Sequence, residues 1–105
     1  MDMENNRLLM QLDKYRREIN REVLNPEIPD LALEDLKPML GMVASARVQY
    51  ISELLEIAKL SGNSLPTPEQ IRQLKVCRET YDELVAAANA LETVIQRGYL
   101  DVKSS

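Results

Sequence analysis

The chain has no histidine, no tryptophan and no phenylalanine, a single cysteine, and only three glycines among its 105 residues. Without histidine it lacks the side chain most often used as a general acid or base near neutral pH and the commonest metal ligand. An ExxH di-iron set cannot be built. Cys77 stands alone, so neither an intramolecular disulfide nor a thiol–imidazole pair can form, and a reduced, cytoplasmic setting is expected. Three glycines are too few for the tight turns of an all-β domain, and they form neither a GxGxxG nor a Walker phosphate loop. The amino-terminal residues are acidic and polar, unlike a signal peptide, and no segment approaches the roughly 18 uncharged apolar residues of a membrane span. The expectation is a protein with no enzymatic activity, no catalytic, metal or cofactor site, and no membrane contact.

What is present is aliphatic and acidic. Hydrophobic residues make up 45% of the chain, four tyrosines are its only aromatics, and the formal charge is −4. The isoelectric point near 4.8 argues against a surface built to neutralise phosphates. This length suits one domain with one core, spanning 1–105.

Thr67-Pro68-Glu69-Gln70 is the most specific motif. It reads as a capping box in which the Thr67 hydroxyl accepts from the Gln70 N–H, the Gln70 side chain returns to the Thr67 N–H, and Pro68 occupies the first helical position. Leu74, Cys77, Tyr81, Leu84, Ala88, Leu91 and Ile95 then recur at alternating spacings of three and four, so a third helix is predicted over about 68–97, closed by Gly98. A first helix over about 4–24 carries Leu8, Leu12, Tyr15, Ile19 and Val23 on one face. Asn25-Pro26 ends it, and Pro29 is expected to keep 25–30 extended.

A second helix over about 33–61 has Asp30 as a possible cap, with the series Leu36, Leu40, Val43, Tyr50, Leu54 and Ile57 as its seam and Met39, Ala46 and Ile51 widening it. Ser61-Gly62-Asn63 stops this helix. The short connection from 62 to 67 implies an antiparallel hairpin with Ile57 near Ile71, Tyr50 near Arg78 or Glu79, and Gly41 near Ala88. Helix one, filling the thin region of that hairpin, completes an all-α three-helix bundle. The tail, 98–105, is too short to fold alone and either docks or frays.

Candidate partner-binding residues fall in three places. Arg47 interrupts the second helix where an apolar residue is expected. It falls near Tyr81 and Asp82, where a salt bridge to Asp82 or stacking on Tyr81 would satisfy it; alternatively Arg47, Tyr50 and Tyr81 rim a groove for a partner segment. Met39 and Met42, with Leu31, Leu33 and Leu36, form an adaptable apolar patch. Helix one is the only net-basic helix, and Arg17 and Arg21 are its candidate contacts, weighed against ordinary pairs such as Asp13 with Arg17 and Glu18 with Arg21. Glu53, Glu56, Asp82 and Glu83 read as solvated surface, and Cys77 as a small core residue. The reading is a small protein-interaction module of adaptor, chaperone-like or regulatory type that binds another protein and self-associates as a homodimer. The alternative is a nucleic-acid-associated regulator using the Arg-rich first helix.

Overall fold

The computed structural model describes residues 2–28 and 30–103. Three helices are formed, α1 (Met3–Leu24), α2 (Leu33–Ser61) and α3 (Pro68–Gln96), and the described residues contain no strand. The class is all-α, with the helix boundaries expected from the sequence. Close contacts divide the chain into two units, one of Leu36–Asn89 and the other of Met1–Asp35 with Ala90–Ser105.

The first of these units is the α2/α3 hairpin. α2 ends in a left-handed Gly62 (φ 59°) whose N–H returns to the Ala58 carbonyl at 3.1 Å, an αL cap that satisfies a carbonyl the helix would leave open. α3 begins with both arms of the capping box in place. The Gln70 N–H donates to Thr67 Oγ1 at 3.2 Å and the Thr67 N–H to Gln70 Oε1 at 2.8 Å. Ser61 Oγ also donates to Gln70 Oε1 at 3.5 Å, joining the end of one helix to the start of the next.

Between the helices, the least exposed positions of α2 are Leu36, Met39, Val43, Ala46, Tyr50, Glu53, Ile57 and Ser61, alternating by three and four as far as Ile57. Facing them, Gln70, Leu74, Cys77, Tyr81, Leu84, Val85 and Ala88 are the covered positions of α3 within this unit. Antiparallel pairing follows the expected register, since Arg47 and Tyr50 both reach Tyr81. The seam expected on α2 is corrected at four positions. Leu40, Ile51 and Leu54 lie outside it, 53%, 47% and 47% exposed. Glu53 lies inside it, half-buried rather than fully solvated, while Ala46, expected to widen the seam, is part of it. The cause is that α2 carries two adjacent apolar stripes, and the series read from the sequence crosses from one to the other.

The second unit holds α1, the link to α2 and the carboxyl-terminal segment. Asp2 caps α1 by accepting from the Asn5 N–H at 2.9 Å. The link is not extended as expected. Asn25 stays in the right-handed helical region, and the N–H groups of Glu27 and Ile28 both return to the Leu24 carbonyl, so the chain turns before the bend at Asp30. Pro29, to which extension was attributed, lies outside the described residues. Asp30 is not a cap. It adopts φ 53°, a left-handed conformation that Asp tolerates better than most residues. The start of α2 is held instead by Asp35, whose carboxylate accepts from the Ala32 N–H at 2.8 Å.

At the far end, α3 closes in a Schellman motif. Gly98 (φ 71°) donates to the Ile95 carbonyl and Tyr99 to the Val94 carbonyl. The tail then docks. Tyr99 and Leu100 are buried, and the Lys103 N–H donates to the Leu31 carbonyl at 2.7 Å, forming a parallel bridge of Leu31 with Val102.

The apolar stripe of α1, expected to be buried, stands in solvent. Leu8, Leu12, Tyr15, Ile19 and Val23 are all exposed, from 49% at Leu12 to 64% at Leu8 and Val23, and within its own unit α1 is engaged near its carboxyl end, where Asn20, Arg21 and Leu24 are half-buried.

Candidate interaction surface

The buried apolar set is small: Ala46, Ile57 and Ala88 in the hairpin, Tyr99 and Leu100 in the other unit. Most large aliphatic side chains remain in solvent, and they are ordered in stripes. On α2 the residues Leu40, Ala44, Arg47, Ile51, Leu54 and Ala58 repeat the three–four alternation about 100° around the helix from the seam that α3 covers, and all six are exposed. This is the pattern of a helix prepared for two neighbours.

Arg47 lies in the middle of this free stripe. Its guanidinium carbon is 5.4 Å from the centroid of the Tyr81 ring and its Nε donates to Tyr81 Oη at 3.3 Å. Tyr81 packs in turn on Tyr50, ring centroids 5.9 Å apart and tilted by 40°. Of the two ways foreseen to satisfy Arg47, stacking is therefore the one found. Asp82 lies 4.0 Å from Arg78 instead, and among the described residues no carboxylate is within ion-pair distance of Arg47. The three residues expected to rim a groove are thus brought together.

The two methionines part company. Met39 is half-buried in the α2–α3 seam, whereas Met42 is 53% exposed and lines a shallow groove with Gly41, Ser45, Gln49, Thr80 and Leu84. Leu31 is held by the tail.

Arg17 and Arg21 act within their own unit. Arg17 Nε donates to the Arg97 carbonyl at 3.3 Å and Arg21 Nη1 to the Gly98 carbonyl at 2.7 Å, placing two cations at the negative end of α3. Arg21 Nη2 also holds Asp101 Oδ1 at 2.7 Å, while Asn25 donates to the other oxygen at 3.1 Å and accepts from the Asp101 N–H at 3.0 Å. The Arg21 hydrogen bond, with that of Asn25 and the Arg21 charge, holds the exposed Asp101 carboxyl below its ordinary value of 3.8. Sequence reasoning paired Arg21 with Glu18 and missed this lock. Its only sequence signal was Gly98 followed by the apolar pair Tyr99-Leu100. The expected pair of Asp13 with Arg17 is present at 3.8 Å.

Cys77 is half-buried on the α3 seam. Among the described residues no three cysteine or acidic side chains are grouped as metal ligands would be, and no helix is long and apolar enough to cross a membrane. A concavity of about 660 Å³ beside Met3, Asn6, Arg7, Met10, Gln11 and Lys14 is lined by α1 alone, and one helix cannot enclose a small ligand. Comparison with protein-family models, curated proteins and solved structures finds no significant match.

Proposed function

We propose that this protein is a non-catalytic interaction module that self-associates and presents helical faces to a partner protein, as an adaptor, chaperone-like or regulatory factor does. The observation that carries the reading is the pair of uncovered apolar stripes, Leu8 to Val23 on α1 and Leu40 to Ala58 on α2. Contiguous apolar faces of this kind mark interaction sites, since a chain that keeps them in water forgoes about 25 cal/mol for every Å² left uncovered. A homodimer is the simplest closed assembly. A lone reduced cysteine suits a cytoplasmic setting.

The nucleic-acid reading is weaker. Arg17 and Arg21 are occupied by α3 carbonyls and Asp101 and Arg16 is paired with Asp13, which leaves Arg7 and Lys14 of α1 to meet phosphates on a chain of net charge −4. Sedimentation equilibrium at micromolar concentration tests the leading reading. A reversible dimer is expected, and a monomer throughout the range would overturn it.

A further inference from the structure

The proposal of self-association leaves open which surface two copies share. We infer that α1 of one copy pairs antiparallel with α1 of a second copy, about a two-fold axis at Tyr15. This rests on the self-association proposed above, and the contact is made by α1 alone.

Within its own unit α1 is held from one side. Arg17 and Arg21 reach the end of α3, and Asn20 and Leu24 are half-buried beside them. The stripe Leu8, Leu12, Tyr15, Ile19 and Val23 lies about 150° around the helix from that contact, so the docked tail leaves all five residues exposed. An antiparallel copy sets Leu8 against Val23, Leu12 against Ile19 and Tyr15 against Tyr15, with no member of the stripe left over. Each member keeps about half to two thirds of its surface in water. At on the order of 100 Å² apiece, one such contact buries on the order of 1,000 Å² over the two copies, the small end of specific interfaces and the size of a reversible dimer.

The charges along one edge of the stripe identify what covers it. The residues one step before its members are Arg7, Gln11, Lys14, Glu18 and Glu22, a row that is basic toward the amino end and acidic toward the carboxyl end. Among the described residues none of the four charged members has an ion-pair partner. Two antiparallel helices related by a two-fold axis set such a row against its own copy, reversed in direction. Arg7 then comes level with Glu22 of the second copy and Lys14 with Glu18 of the second copy, so all four charges gain a partner that the single chain does not supply. A row that complements itself in this way points to a second copy rather than to a partner of other sequence. On the opposite edge Arg16 keeps Asp13 of its own helix at 3.4 Å. A parallel pair would instead set the row against that opposite edge, with Arg7 beside Leu9, Lys14 beside Arg16 and Glu22 beside Leu24.

Cysteine cross-linking reads the register. In a Cys77→Ala background, separately tagged Leu8→Cys and Val23→Cys chains are oxidised alone and as a mixture. The expected result is a disulfide-linked pair about tenfold or more enriched in the mixture, because the antiparallel contact brings position 8 to position 23 and keeps each roughly 22 Å from its own counterpart. A bridge within Leu8→Cys chains alone would reveal a parallel pair and overturn the inference, as would a sedimenting dimer that forms no bridge, and self-association would stand in both cases. A monomer by sedimentation would overturn self-association as well. A charge exchange gives a second readout that needs no oxidation. Chains with Arg7→Glu and Lys14→Glu, and chains with Glu18→Lys and Glu22→Lys, are each expected to dimerise about tenfold more weakly than the unaltered protein, and their mixture to recover the loss as a heterodimer. A mixture no tighter than its components, with helicity intact by circular dichroism, would overturn the pairing of α1 with α1.

Discussion

Thr67 holds the start of α3 by accepting from one backbone amide while its own amide is held by Gln70. Thr67→Ala should therefore cost about 0.5–2 kcal/mol, read as a lower denaturant midpoint with an unchanged slope. Asp101 holds the tail in a comparable way but with charge. Its carboxyl sits below 3.8 in the folded chain because Arg21 and Asn25 favour the ionised form. The Asp101 contribution to docking is therefore full above the unfolded value and is lost as pH falls through the lowered folded value. Amide exchange at Tyr99 and Lys103 should accelerate in that acidic window. Asp101→Asn should accelerate it already at neutral pH and abolish the acid step.

At the scale of the helices, the two alanines Ala44 and Ala46 occupy opposite situations two residues apart. Ala46 is 7% exposed in the seam, whereas Ala44 is exposed on the free stripe. Ala46→Leu should force the helices apart at a cost of about 1–3 kcal/mol, while Ala44→Leu should leave the fold within about 0.5 kcal/mol. Thermal melts of both variants make the comparison. This contrast also marks what was legible in the sequence. Caps and stops such as Thr67, Gly62 and Gly98 are local chemistry, so they located the end of α2 and both ends of α3. The register followed from loop length. Which of two adjacent stripes on α2 meets α3 depends on a partner distant in sequence, so Leu40 and Leu54 were assigned to the seam and Ala46 was read only as its margin. For the candidate site, the grouping of Arg47, Tyr50 and Tyr81 was legible from that register. The engagement of Arg21 by Asp101 joins residues 80 apart, and no short-range pattern carries such a contact.

For the molecule as a whole, a chain whose aliphatic stripes stay in water should gain stability from its own concentration. The midpoint of thermal unfolding is expected to rise between about 1 and 100 µM protein, as mass action requires when association favours the folded state, and added salt should reduce the rise where the charged edge of α1 contributes. A midpoint independent of concentration would mean that association adds nothing to the fold. The four tyrosines offer a direct view of these events. Tyr15 stands on the exposed α1 stripe, Tyr50 and Tyr81 form the ring pair of the hairpin, and Tyr99 is buried in the tail. With no tryptophan to overwhelm them, uniform labelling with fluorotyrosine would place one resonance on α1, two on the hairpin and one on the tail. Dilution should then move the Tyr15 signal, acid the Tyr99 signal, and opening of the hairpin the remaining two, so that assembly, tail release and helix separation can be timed independently in a single sample.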